Sequence, residues 1–364
     1  MGFRCGIIGL PNVGKSTIFN AMTSAGVQAS NYPFCTIDPN VGIVPLRDKR
    51  LYTLAKLVEP ERVVPTTVEF VDIAGLVRGA SKGEGLGNQF LGHIRSVDAL
   101  AHIVRCFDDP DVVHVDGEVD PGRDIETINT ELILADLDSV EKRVDKLAKM
   151  AKGGDKVAAA THELARRVID ELSAGRPARV LDQEALESGS MKELNLLTAK
   201  PVLYVVNVDE AGIDGDSTSV AEVRKIAERE GGEVVVICGK VESEIAELPE
   251  DERESFLSDI GIAESGLDRM ARAGYDLLGL ITYFTVGKKE VRAWTVEQGA
   301  SAVDAAGVIH TDFVRGFIRA EVIAYDDFIA LGSEVACKEK GRMRLEGKEY
   351  IVNDGDLMHF RFNV

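Results

Sequence analysis

The sequence holds one tryptophan, and its five cysteines (Cys5, Cys35, Cys106, Cys238, Cys337) stand apart with no C-x-x-C pair. That spacing argues against a disulfide framework or a thiolate zinc site and leaves most of these residues as buried thiols. No apolar run approaches the roughly 18 residues of a membrane span, and Met1-Gly-Phe-Arg leads straight into a strand pattern rather than a signal peptide. A cytoplasmic globular protein that stays off the membrane is therefore expected. Basic residues are also scarce, 42 against 61 acidic ones, for a formal net charge of -19. Such a balance opposes bulk attraction to nucleic acid, and DNA is not an expected partner. The deficit is local: residues 1–125 hold 12 basic and 15 acidic side chains, 126–200 hold 12 and 14, 201–280 hold 7 and 19, and 281–364 hold 11 and 13. The near-neutral last segment keeps Lys288, Lys289, Arg292, Arg315 and Arg319, enough for a local basic face.

What is present begins with length: 364 residues at 45% hydrophobic content bury a large core and fit two or three domains. The apolar run Phe3 to Ile8 delivers Gly9-Leu-Pro-Asn-Val-Gly-Lys-Ser16, and a helical pattern follows from Ile18. A strand, a loop with glycine at both ends, and a helix opened by Lys15 and Ser16 form a phosphate cradle. Gly9 and Gly14 let the backbone curl, Asn12, Val13 and Thr17 complete the loop, Lys15 supplies charge for the β- and γ-phosphates, and Ser16 offers a hydroxyl to Mg²⁺.

Downstream, Ser30 to Asn40 reads as a long loop with Thr36 between apolar neighbours. Alone, Thr36 is either a turn residue or the switch threonine that completes a Mg²⁺ shell. The strand Thr67 to Val71 then presents Asp72, the acidic residue that holds the metal's water shell, and Gly75, whose N–H faces a γ-phosphate. Together these residues resemble the translation-factor branch of P-loop GTPases. Residues 76 to 91 are rich in glycine and suit a second switch; Leu76 stands where many relatives carry the water-orienting glutamine. After the strand Ala99 to Phe107, His114 is, on the residues alone, either a satisfied core histidine or a group that enters the site.

Residues 126–200 change character. Ile133, Leu137, Val140, Val144, Leu147 and Ala151 step by four and three, a coiled-coil seam, and after Gly153-Gly154 a second run carries Val157, Leu164, Val168 and Leu172. An antiparallel helical hairpin that contacts a partner is expected. A buried strand from Pro201 to Val206 ends in Asn207-Val208-Asp209-Glu210, where GTPases place Asn-Lys-x-Asp. Val208 replaces the lysine and Glu210 the aspartate; the longer acid displaces its carboxylate from guanine, so adenine becomes plausible. The strand Glu233 to Ile237 ends in Cys238-Gly239-Lys240, where backbone N–H groups would meet the base edge. Past Thr282 the pattern becomes short strands and turns around a helix near Asp304 to Phe317, with a strand expected over Lys348 to Val352. His310-Thr-Asp312 reads as a helix start rather than a triad.

Taken over its full length, the chain resembles the YchF-type Obg-like ATPases. The resemblance rests on Gly9 to Thr17, Asn31 to Thr36, Asp72 to Phe90, Asn207 to Glu210, Lys289 to Thr295, His310 to Phe313 and Gly316 to Arg319. It implies an α/β P-loop G-domain with a mostly parallel sheet (1–125 and 201–280), an inserted helical hairpin (126–200) and an α+β TGS domain of ubiquitin-like fold (281–364). It also implies ATP and ADP as ligands, slow Mg²⁺-dependent hydrolysis, and association with ribosomes through the tail and the arm, with RNA a candidate contact, in a switch that modulates translation or a stress response. His114 matches a histidine the family uses in place of the missing glutamine. Asn12 matches the loop asparagine of potassium-assisted relatives, which makes K⁺ a candidate second cation. A nucleotide-gated ribosome- or RNA-binding module with incidental hydrolysis is the alternative; a GTP-specific regulator is opposed by Val208 and Glu210.

Overall fold

The computed structural model describes residues 3–27, 40–73, 86–115 and 117–363. In chain order the strands are β1 (Arg4–Ile8), β2 (Val41–Pro45), β3 (Arg62–Val64), β4 (Thr67–Asp72), β5 (Ala99–Arg105), β6 (Val202–Asn207), β7 (Glu233–Ile237), β8 (Leu280–Val286), β9 (Glu290–Glu297), β10 (Phe317–Ile323), β11 (Arg344–Glu346) and β12 (Leu357–Phe362). Among the described residues they form two six-stranded sheets.

The first sheet has the order β2-β4-β1-β5-β6-β7, parallel throughout except for β2, which runs antiparallel to β4. Every residue of β5 and β6 is buried, as continuous apolar runs must be when helices cover both faces of a parallel sheet. Helices α1 (Lys15–Val27), α2 (Lys49–Val58) and α3 (Leu86–Arg95) leave this part of the chain. The core beneath α1 joins Ile7, Ile8, Ile18, Met22, Phe70 and Tyr204.

The arm is α4 (Pro121–Lys152) and α5 (Lys156–Ser173). Asp120 caps α4 by accepting from the Arg123 N–H, a proline opens its first turn, and Gly153 ends it. Ile125, Ile128 and Leu132 of α4 belong to the nucleotide-domain core, whereas Ile133, Val140 and Leu147 pack on α5. On α5, Leu164, Val168 and Leu172 join that seam as expected, but Val157 is 68% exposed. Val157 lies in the first turn after the N-cap Asp155, one residue off the face, and Ala158 fills the seam instead. The arm is pinned at its root by a buried network. Arg179 donates from Nε to Glu230 Oε2 at 2.9 Å and from its terminal nitrogen to Asn129 Oδ1 at 2.7 Å. Asn129 Nδ2 donates to Glu230 Oε1 at 3.1 Å, and the Tyr204 hydroxyl of β6 donates to Glu230 Oε2 at 2.7 Å.

The second sheet has the order β11-β10-β12-β8-β9-β3, so β3 crosses from the first half of the chain to pair in parallel with β9. Ahead of it, α2 buries Leu51 and Leu54 against Phe284, Val291 and Phe328. Arg50 locks this junction: it donates to Asp354 Oδ2 at 2.6 Å and Asp48 Oδ2 at 2.8 Å, with its guanidinium 5.4 Å from the Phe284 ring centroid. Residues 49–64 thus build the C-terminal unit, although no pattern in the sequence assigns them there. Two expectations for the tail change. The helix expected near Asp304 to Phe317 is two helices, Ala302–Ile309 and Thr311–Arg315, separated at His310, whose extended backbone breaks the turn and whose Nδ1 accepts from the Asp312 N–H at 3.1 Å. Residues 348–352 contribute only an isolated bridge from Ile351 to Ser301, while β11, just before Gly347, takes the edge of the sheet. Among the described residues no helix is long and apolar enough to cross a membrane.

Replacing Arg179 by alanine leaves the Glu230 carboxylate without its buried counter-charge. A loss of about 3 kcal/mol in denaturant unfolding is expected, together with faster amide exchange at the start of α4. A variant as stable as the parent would show that the network does not anchor the arm.

Candidate nucleotide-binding site

The loop between β1 and α1 closes over the carboxyl ends of the parallel strands, where open α/β sheets bind ligands. Its two glycines are required by space as well as by backbone angle. Gly9 has φ +151° and a Cβ there would stand 2.6 Å from the Ile103 carbonyl oxygen; Gly14 has φ +95° and a Cβ would stand 2.1 Å from Asn207 Nδ2. Lys15 Nζ donates to the Gly9 and Leu10 carbonyls at 3.0 and 2.6 Å, which folds the ammonium back over the loop. Burial lowers its pKa from the usual 10.5 to about 8, opposed by the nearby charge of Asp72. Burial likewise raises the Asp72 carboxyl, and Lys15 opposes that shift.

A cavity of ≈ 900 Å³ runs from this loop to the ends of β6 and β7. Asn12, Gly14, Lys15, Ser16 and Thr17 line one end, and Asn207, Val208, Glu210, Cys238 and Gly239 line the other. Val13 is buried and contributes its carbonyl, which accepts from Asn207 Nδ2 at 3.0 Å; Asn207 Oδ1 in turn accepts from the Gly239 N–H at 3.0 Å. One of the N–H groups expected to meet the base is therefore engaged by Asn207. Lys240, expected there for its backbone alone, pairs through its side chain with Glu210 at 2.7 Å across the mouth of the base end. Asp209 caps the turn behind Glu210 by accepting from the Gly212 N–H at 2.9 Å.

Arg105 is the second residue that sequence reasoning passed over. It is 1% exposed at the end of β5 and donates to the carbonyls of Phe107, Val112 and Asn12 at 3.1, 2.9 and 3.3 Å, while its guanidinium lies 4.5 Å from the Phe107 ring centroid. A charged residue closing a strand that is apolar apart from His102 was the available signal. Asn12, at φ 62°, donates from Nδ2 to the Val113 carbonyl at 3.1 Å, so the loop and the 107–113 segment hold each other. His114 does not line the cavity. It is buried, with Nε2 2.9 Å from Asp124 Oδ2 on α4. Thr36 and Gly75 lie outside the described residues. Ser16, exposed at the start of α1, and Asp72, close enough to act on Lys15, supply a hydroxyl and a carboxylate, the hard oxygen donors that suit Mg²⁺.

Fold and cavity together define a P-loop nucleotide-binding protein of the GTPase fold. A family model described as "50S ribosome-binding GTPase" matches residues 4–136, and the YchF GTPase C-terminal model, described as "Protein of unknown function (DUF933)", matches residues 280–363. The chain is 59% identical over 364 residues to "Ribosome-binding ATPase YchF" of Pasteurella multocida and 55% identical over 366 residues to the protein of that name from Bacillus subtilis, covering 100% of both partners in each case. The solved "Structure of the Schizosaccharomyces pombe YchF GTPase" superposes with a TM-score of 0.88 at 36% identity, covering 99% of this chain and 98% of that one. The chain belongs to the YchF family.

The lowered pKa of Lys15 fixes the sign of two pH trends. The unfolded chain holds more protons than the folded one between about pH 8 and 10.5, so this group adds stability as pH rises through that window. Phosphates favour the ammonium, so nucleotide affinity moves the other way and falls above about pH 8. Calorimetry in buffers of different ionisation enthalpy should register proton uptake on triphosphate binding near pH 9 and little near pH 7. Equal uptake at both would remove Lys15 from the phosphate contact.

Proposed function

We propose that the chain is an ATP-hydrolysing switch that acts on the ribosome in the cytoplasm. The observation that carries the base assignment is at the far end of the cavity, where Val208 is buried and the Glu210 carboxylate is paired with Lys240. Val208 offers no lysine stem to a guanine plane, and the Glu210 carboxylate is engaged by Lys240, so a base with a donor at N6 and none at N1 is favoured. Relatives over the full length are named ribosome-binding ATPases, which supports both halves of the reading.

In this reading the loop amides and Lys15 hold the phosphates. Ser16 and Thr36 would hold Mg²⁺, with Asp72 acting through water, and the cation would supply charge neutralisation for the phosphates. Gly75 aims its N–H at the γ-phosphate, and Asn207, Val208, Glu210, Cys238 and Gly239 frame the base. Asn12 is the ligand for K⁺ if a second cation takes part. On entering the cavity from its buried pair with Asp124, His114 positions or polarises the attacking water in place of the glutamine that Leu76 cannot supply. The arm and the C-terminal TGS unit carry the nucleotide state to the ribosome, with RNA as a contact. A second reading, a nucleotide-gated ribosome-binding module with incidental hydrolysis, is favoured by the burial of His114 against Asp124.

Binding isotherms decide the base. ATP is expected to bind more tightly, and tighter GTP binding by more than about tenfold, roughly 1.4 kcal/mol, overturns the assignment. Turnover decides the histidine: His114→Ala should slow hydrolysis by about a hundredfold with ATP affinity near normal. An unchanged rate favours the second reading.

A further inference from the structure

We infer that Arg105 is a positioning residue of the nucleotide site: its guanidinium fixes residues 107–113 as a wall of the cavity and ties that wall to the backbone of the phosphate loop, so that occupancy of the loop is felt along the segment leading to His114. Its effect on turnover rests on the reading above. Arg105 ends β5 with 1% of its surface exposed. Its Nε donates to the Phe107 carbonyl at 3.1 Å, one terminal nitrogen to the Val112 and Asn12 carbonyls at 2.9 and 3.3 Å, and the other to the Asp109 carbonyl at 3.4 Å. One side chain thus holds both ends of the 107–112 turn and crosses 93 positions to the loop.

A guanidinium taken out of water is costly unless its charge and its donors find partners. Among the described residues the partners of Arg105 are four carbonyl oxygens and the Phe107 ring, whose centroid lies 4.5 Å from the guanidinium carbon, and no carboxylate pairs with it. A neutral side chain at the end of β5 avoids that cost. What arginine alone supplies is a planar fork of three nitrogens that reaches all four carbonyls at once, which the compact ammonium of lysine does not.

Both ends of this clamp face the site. Phe107, Asp108, Asp109 and Val112 line the cavity together with Asn12, Gly14 and Lys15 of the loop. Asn12 stands in the left-handed region at φ 62°, a conformation that a residue with a side chain keeps only where its neighbours over-determine it. Here it is held from two directions, with Arg105 donating to its carbonyl and its own Nδ2 donating to the Val113 carbonyl at 3.1 Å. The Val113 side chain is 73% exposed, so polar links to its backbone, not packing of that side chain, hold it in place. His114 is the next residue and turns inward to Asp124. A loop that tightens on phosphate therefore pulls on the 107–113 wall through Asn12, and Arg105 keeps the wall from yielding.

Amide exchange read by mass spectrometry on the full-length protein, with and without Mg²⁺ and ATP, tests the link with no substitution. Protection is expected in residues 9–17 and, with them, in 107–115; a segment that stays unchanged while the loop is protected overturns the inference. Arg105→Lys and Arg105→Gln, each checked by circular dichroism, then separate geometry from charge. Both should keep ATP affinity within about threefold and retain protection of the loop, yet lose the nucleotide-dependent protection of 107–115 and turn over ATP about tenfold more slowly or worse. A lysine variant with parental turnover and protection overturns the inference in favour of charge alone. Affinity that falls as far as turnover also overturns it, because Arg105 then serves binding and not positioning. A parent in which loop and segment respond together but ATP is not hydrolysed removes the reading of the site as an ATPase and leaves the positioning assignment standing.

Discussion

The two hydrogen bonds of Asn207 hold the site together. Its amide nitrogen donates to Val13 in the phosphate loop and its carbonyl accepts from Gly239 at the base end, so one buried side chain sets the distance between the two halves of the cavity. Gly14 must be glycine because Asn207 occupies the space of its Cβ. The residue also ends β6, the strand from which Tyr204 reaches the Glu230 network at the root of the arm. Phosphate loop, base loop and arm are consequently referenced to one strand whose residues are all buried.

A second reference runs through β4. The chain leaves β2, builds α2 and β3 into the C-terminal sheet, and returns as β4 to present Asp72. The carboxylate nearest Lys15 is thus joined to a segment that is part of the other unit. Arg50 rigidifies that link with two carboxylates and an aromatic face, a geometry in which guanidinium outperforms ammonium. A rearrangement around Asp72 has a short covalent path to the C-terminal sheet, and one around His114 has a short path to α4 through Asp124. These are physical routes by which a phosphate-sensing site reaches surfaces far from it.

Legibility in the sequence followed the range of the forces involved. The phosphate loop was readable because Gly9, Gly14, Lys15 and Ser16 fall in one short pattern between a strand and a helix, although the atoms that exclude a Cβ at the two glycines are distant in sequence, and the arm because a heptad seam repeats its own pattern. Asn207 was readable as a base-end residue, but not as the bridge to Val13, which lies 194 positions away. The α2 and β3 segment was not legible: an amphipathic helix states that it buries Leu51 and Leu54, not which core receives them. Arg105 and Lys240 escaped for a related reason. Their roles depend on backbone carbonyls and a carboxylate that only the folded chain brings near, and such partners leave no spacing in the sequence. Val157 marks the limit of periodicity at a helix start, where the cap, not the seam, decides what faces out.

The electrostatics of Lys15 explain why a chain should keep a site that costs stability when empty. Burial lowers its pKa to about 8, which means the ammonium is disfavoured where it stands, and the Gly9 and Leu10 carbonyls and the charge of Asp72 offset only part of that cost. A triphosphate held there would replace two partial charges with full ones and move the Lys15 pKa back toward its ordinary value. Ligand binding to the folded state alone then raises stability by mass action, and the gain is concentrated at the loop that Asn207 ties to the base end. A phosphate contact at that loop would act on the Val13–Asn207–Gly239 link between the two ends of the cavity, and β6, which carries that link, also carries Tyr204 to the root of the arm.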